Sequence, residues 1–66
     1  MEAKAGFIAG QIWETLNASH GTLTEKQIMK EIKNRKVSDF YLGIGWLLRE
    51  GKLNVEEGET VTFSLK

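Results

Sequence analysis

Apolar side chains recur at helical spacing near the start of the chain, at Ile8, Ala9, Ile12, Trp13 and Leu16. Positions three and four apart share one face of an α-helix, so these side chains form a stripe suited to a core. The pattern predicts a first helix from about Ala5 to Asn17. We expect Gly10, which lies beside this stripe and has no side chain, to let another helix approach closely.

A capping box begins the second predicted helix. The Thr24 hydroxyl can accept a hydrogen bond from the amide of Gln27, and the Gln27 side chain can reach back to the amide of Thr24. The helix then runs to about Lys33. Its predicted buried face holds Ile28, Met29 and Ile32. Residues 21–24 just before it can hold a very short strand, with Leu23 pointing inward.

The third predicted helix begins after the connection formed by residues 34–37. Ser38 is a favoured N-cap residue, and Asp39 in the first turn is favourable to the helix dipole. Gly51 is a good residue to follow the end of the helix, because glycine adopts the left-handed backbone conformation that terminates many helices.

The last 14 residues alternate between apolar and polar positions, which is typical of strands with one buried face. Leu53 and Val55 point one way, and the acidic turn of residues 56–59 follows. The apolar positions of the second strand share the same face and are Val61, Phe63 and Leu65. An isolated hairpin is marginal, so this one must pack on the helices.

The predicted order is helix, short strand, helix, helix and hairpin, and several segments carry a closer likeness. They are Ala9–Trp13, Leu16, Leu23–Thr24 and, above all, Asp39–Lys52. Together they resemble a family of short prokaryotic winged helix-turn-helix proteins that has no assigned activity. The resemblance implies an α+β fold in which the hairpin is the wing, and the length of 66 residues predicts a single domain, residues 1–66. Winged helices mostly bind DNA, but many are protein-interaction modules.

The third helix in that fold normally reads DNA, yet its outward positions are apolar. Helical spacing places Phe40, Gly43, Ile44 and Leu47 on the inward face. The outward face then holds Tyr41, Leu42, Gly45, Trp46 and Leu48. None of these side chains can make the bidentate hydrogen bonds to guanine or adenine that base readout uses.

Two interpretations of this apolar face remain open. It is an interface for a protein partner, most simply a second copy of the chain, since a helix that is apolar on both faces is buried on both. Alternatively, the helix is rotated by about one residue from the assumed phase, and some of these side chains belong to the core.

Charge is balanced over the whole chain but not along it. Nine basic and nine acidic residues give zero net charge, whereas nucleic-acid binders usually carry a basic excess. The basic residues cluster on and after the second helix, at Lys26, Lys30, Lys33, Arg35 and Lys36. This stripe is either a set of phosphate contacts or an ordinary solvated face. The predicted wing tip is acidic, with Glu56, Glu57 and Glu59, and is either a solvated turn or a docking site for a basic partner.

Catalytic and metal chemistry lack candidate residues. There is no cysteine, and His20 is the only histidine, so we expect no metal site, no cofactor, no small-molecule substrate and no enzyme activity. No apolar run approaches the ~20 residues of a membrane span, so we expect a cytoplasmic protein. Two functions remain: a protein-interaction module, in its simplest form a homodimer, or a transcription-regulator-like protein that binds DNA weakly, non-specifically and with steep salt dependence.

Overall fold

The described part of the chain forms three helices and a small antiparallel sheet, in the order that the sequence predicts. The computed structural model describes residues 2–34 and 36–66. The elements are α1 (Glu2–Ser19), β1 (Leu23–Thr24), α2 (Glu25–Ile32), α3 (Val37–Arg49), β2 (Leu53–Glu56) and β3 (Thr62–Leu65). None of the described helices has the length and apolar character needed to cross a membrane.

The hairpin of β2 and β3 is joined to the helices through β1. The strand order is β1-β3-β2, and both pairings are antiparallel. Phe63 in the central strand pairs with Leu23 on one side and with Val55 on the other. The predicted buried face is confirmed at Leu53 and Phe63, but it is wrong at Val55 and Val61, which are 38% and 39% exposed. The third strand gives the hairpin the packing that an isolated pair would lack.

The core lies between α1, α3 and the sheet, and α1 packs most closely on α3 at Gly43. A Cβ atom there would lie 2.7 Å from Ile12 Cδ1, 2.8 Å from Ile8 Cγ2 and 3.1 Å from the backbone nitrogen of Ala9. The predicted role of Gly10 is therefore wrong, because nothing lies within 4 Å of a Cβ at that position. Close approach is decided by which residues face each other across two helices, and spacing along one helix does not contain that information.

The first helix is longer than its apolar stripe predicts. It extends to Ser19, and His20 follows with a positive φ of 55°. Ile8, Ile12 and Leu16 are buried as predicted. Trp13, which the stripe predicts to be buried, is instead 38% exposed.

The predicted capping box at the start of α2 is confirmed. Thr24 Oγ1 accepts a hydrogen bond from the Gln27 amide at 3.3 Å, and Gln27 Oε1 accepts one from the Thr24 amide at 2.9 Å. Ile28 is fully buried, whereas Met29 and Ile32 are partly buried against the same core. Lys33 ends the helix in the left-handed conformation.

The predicted N-cap of α3 at Ser38 is wrong. The helix begins at Val37, and Lys36 occupies the cap position without a side-chain hydrogen bond. The reason is local: Asn34 Oδ1 accepts a hydrogen bond from the Lys36 amide at 2.8 Å, and this turn starts the helix earlier than Ser38 would. Ser38 consequently lies exposed in the first turn.

The end of α3 is a Schellman motif built on Gly51, as the sequence predicts. Gly51 has a φ of +68°, and its amide donates to the Leu48 carbonyl at 3.0 Å. The Lys52 amide donates to the Leu47 carbonyl at 3.0 Å. These bonds turn the chain directly into β2 and so fix the wing relative to α3.

Candidate interaction surfaces

The inward and outward sides of α3 are those that the helical spacing predicts. The side chains and glycine of the inward side are buried: Phe40, Gly43, Ile44 and Leu47. The alternative of a phase error is therefore not needed to explain most of the apolar residues on the opposite side. We call Tyr41, Leu42, Gly45 and Leu48 the outer face.

The outer face is an exposed apolar surface in the single chain. Tyr41, Leu42 and Leu48 are 48%, 40% and 48% exposed. Gly45 is also exposed, and nothing lies within 4 Å of a Cβ built on it. Val37 adds a further half-exposed apolar side chain at the start of the helix. A run of exposed apolar side chains along one helix is typical of an interaction surface.

Trp46 differs from the other residues predicted for this face. Its side chain is partly buried against the core, and its ring carbons lie 3.7–4.0 Å from the position that a Cβ on Gly6 would take. The ring therefore packs across α1, and Gly6 provides the space for it. With Gly10 and Trp13 it lines a groove between α1 and the C-terminal half of α3.

Tyr41 is held in place by a contact that helical spacing does not predict. Its hydroxyl donates a hydrogen bond to Glu25 Oε1 at 2.6 Å, and its ring lies edge-on to Phe40 with the ring centroids 5.1 Å apart. The hydrogen bond to Glu25, together with burial and the negative charge of that carboxylate, raises the pKa of the Tyr41 hydroxyl. The bond connects α3 to the start of α2, 16 residues away along the chain.

Asp39 serves the fold more than the surface. Its carboxylate lies 3.2 Å from Lys4 Nζ and accepts a hydrogen bond from Asn34 Nδ2 at 3.4 Å. Burial raises the pKa of the Asp39 carboxyl, but the hydrogen bonds from Lys4 and Asn34 and the positive charges of Lys4 and Lys36 outweigh that effect and lower it. The carboxylate thus joins α1 to the first turn of α3, where it also faces the positive end of the helix dipole.

The basic residues of α2 form one continuous surface. Lys26, Lys30 and Lys33 are exposed and line an open groove together with Met29 and Asn34. Lys36 is exposed just beyond the turn, whereas Arg35 lies outside the described residues. We call Lys26, Lys30, Lys33 and Lys36 the basic stripe. Across the described residues the one ion pair is that of Lys4 with Asp39, so the stripe forms none there.

The wing tip is acidic and lies near one end of the basic stripe. Glu56, Glu57 and Glu59 are all exposed, and we refer to them as the acidic tip. Glu59 lines a cleft that Tyr41 and Lys26 also line. The outer face, the basic stripe and the acidic tip therefore meet around Tyr41.

Metal-binding geometry is absent from the part of the chain that the structure describes, where no group of three or more potential ligands is found. The single histidine, His20, lies exposed in the turn just after α1. The surfaces offer apolar contact, positive charge and negative charge, and these are suited to binding.

Comparison with known proteins supports the fold. Residues 1–65 match the family described as "Winged helix-turn-helix domain (DUF2582)". No protein of curated function matches the chain. The family match agrees with the order of helices and strands and with the three-stranded sheet described above.

Proposed function

Because this chain belongs to the winged helix-turn-helix family DUF2582, we propose that it is a non-catalytic binding module that forms a homodimer through the outer face of α3. The observation that carries the proposal is the chemistry of that face. Tyr41, Leu42 and Leu48 are exposed by 40–48%, and the one polar group among them, the Tyr41 hydroxyl, already donates to Glu25.

The exposed side chains of α3 are not suited to reading DNA bases. Specific contacts in the major groove come from side chains that donate or accept two hydrogen bonds at a base edge. The exposed polar side chains of α3 that could take part are Ser38 and Arg49, near its two ends. At a rise of about 1.5 Å per residue they are separated by roughly 16 Å along the helix, and apolar surface lies between them.

A second copy is the simplest partner for such a face. A two-fold axis brings the same patch of both chains together, so a single apolar surface is enough to form the contact. The cores of protein interfaces are poor in charge and rich in aromatic and large apolar side chains. Tyr41, Leu42 and Leu48 match that composition.

The proposal predicts that Leu42→Glu converts a dimer into a folded monomer, because a carboxylate would be buried without a partner at the centre of the contact. Size-exclusion chromatography with light scattering measures the mass, and circular dichroism checks the fold. Phe7→Glu is the matched control, since Phe7 is 68% exposed on α1 and lies outside the outer face. A Leu42→Glu protein that keeps the wild-type dimer mass contradicts the proposal.

DNA binding through the basic stripe is a second candidate function. Winged helix-turn-helix domains often bind DNA, and Lys26, Lys30 and Lys33 line a single groove on α2. Phosphate contacts require charge and reach but no base recognition. Binding of this kind is non-specific and weakens steeply as salt is raised.

The second candidate predicts that Lys30→Glu with Lys33→Glu abolishes binding to random duplex DNA. The affinity is measured by fluorescence anisotropy over a series of salt concentrations, and its slope against salt falls as phosphate contacts are lost. Lys52→Glu with Lys66→Glu makes the same change in net charge at exposed positions away from the stripe. Equal loss in both double variants shows that net charge alone is responsible and contradicts a role for the stripe.

A further inference from the structure

The zero net charge of this chain conceals two surfaces of opposite charge that adjoin each other beside Tyr41. The basic stripe has four exposed lysines on α2 and the following turn, and the acidic tip has three exposed glutamates on the wing. Neither surface forms an ion pair within 4.0 Å among the described residues, where the one ion pair joins Lys4 to Asp39. One molecule therefore carries two exposed surfaces whose charges are opposite in sign and similar in magnitude.

Their positions relative to the outer face suit a symmetric contact. Lys26, at one end of the basic stripe, and Glu59, in the acidic tip, line the same cleft as Tyr41. The stripe continues away from that cleft along Lys30 and Lys33. A two-fold axis that runs midway between the acidic tip and the basic stripe would set the tip of each copy against the stripe of the other.

The area needed by a stable dimer also favours a contact wider than α3. A specific interface covers about 800 Å² on each partner, which is roughly one-sixth of the 4721 Å² surface of this chain. A large aromatic side chain buries about 150–250 Å² when fully covered. The three outer-face side chains are each about half exposed, so they fall well short of that area, and neighbouring surfaces must contribute.

We propose that, in the homodimer proposed above, the acidic tip of each copy docks on the basic stripe of the other. This inference rests on that homodimer. The apolar outer faces form the centre of the contact, and the two reciprocal sets of charges form its rim. Complementary charges at a rim fix the orientation of two partners and speed their encounter.

In this arrangement the lysines of α2 bind the second copy of the chain. The groove that would otherwise follow a phosphate backbone is occupied by glutamates of the second copy. Dimerisation and duplex binding then compete for the same side chains. A polyanion added to the dimer releases monomers, and raised salt weakens the dimer as it screens the rim.

The test exchanges the charges between copies. A tip variant carries Glu56→Lys, Glu57→Lys and Glu59→Lys, and a stripe variant carries Lys26→Glu, Lys30→Glu and Lys33→Glu. Each variant alone opposes like charges at both rims, and we expect it to dimerise at least about tenfold more weakly than the wild type. An equal mixture of the two restores attraction at both rims, so sedimentation equilibrium should recover the wild-type dimer mass.

The combined six-substitution chain gives an independent result, because it also presents opposite charges at both rims and should dimerise with itself. Circular dichroism checks that every variant is folded. If the tip variant and the stripe variant each dimerise as strongly as the wild type, the proposed rim contact is wrong. The outer-face dimer is not contradicted by that result. Variants that dissociate but are not rescued by mixing or by combination overturn it as well. A monomeric wild type overturns both proposals.

Discussion

Gly43 decides how closely α1 and α3 approach. Its missing side chain leaves room for Ile8 and Ile12, and a Cβ there would lie within 2.8 Å of both and 3.1 Å from the backbone of Ala9. We expect Gly43→Ala to lower the free energy of unfolding by about 1–3 kcal/mol through overpacking, even though alanine favours a helix by about 1 kcal/mol over glycine. Urea unfolding measures the change.

Gly10→Ala is the matched control for that substitution. Gly10 is also in a helix, but nothing lies within 4 Å of a Cβ there. Helix propensity alone should then act, and the control should be more stable than the wild type by up to about 1 kcal/mol. If both variants change stability in the same direction and by the same amount, the close contact at Gly43 is not what limits the packing.

The lowered pKa of Asp39 makes the free energy of unfolding depend on pH. Its folded-state pKa lies below the ordinary value of about 3.9, so the stabilisation is present above that value and is lost as pH falls through the lowered pKa. The free energy of unfolding of the wild type should fall more steeply below about pH 4 than that of Asp39→Asn. Lys4→Gln, which removes the ion pair but keeps the carboxyl, should also flatten this dependence. Equal acid slopes in all three proteins contradict the assignment.

At the scale of elements, Thr24 and Ser38 are both N-cap candidates in the sequence, but only Thr24 caps a helix. Thr24 makes the capping hydrogen bond of α2, whereas Lys36 takes the cap position of α3 that Ser38 was expected to fill. We expect Thr24→Ala to lower the free energy of unfolding by about 1 kcal/mol and Ser38→Ala to change it by less than about 0.5 kcal/mol. Thermal or urea unfolding measures both, and a larger loss for Ser38→Ala contradicts the position of the cap.

Features set by neighbours in sequence could be predicted, and those set by distant contacts could not. The capping box at Thr24 and the helix end at Gly51 depend on residues a few positions apart. The inward side of α3 follows from helical periodicity. Ser38 does not cap α3 because Asn34, which precedes it, accepts a hydrogen bond from the Lys36 amide, and the helix begins at Val37.

The candidate surfaces show the same division. Exposure of Leu42 and Leu48 follows from the phase of α3. The position of Trp46 depends on Gly6, forty residues earlier, and the hydroxyl of Tyr41 depends on Glu25. Such pairs bring together helices whose mutual angle is set by the whole core, so periodicity within one helix cannot reveal them.

At the scale of the whole molecule, the chain has 66 residues, and 11 apolar side chains are buried among those that the structure describes. Domains of this size bury only about 60% of the surface that the unfolded chain exposes. Association that covers the outer face would add to a modest stability, because whatever binds only the folded state stabilises it. Apparent unfolding temperature should accordingly rise with protein concentration in the wild type but not in Leu42→Glu.

The proposed dimer places the outer face of α3 against a second copy of the chain. Sedimentation equilibrium of the wild-type protein over a wide concentration range tests this most directly, since the chain has a mass of 7.5 kDa. We predict a reversible shift from that mass at low concentration to twice that mass at high concentration. A mass that stays at 7.5 kDa at the highest concentration reached contradicts the account.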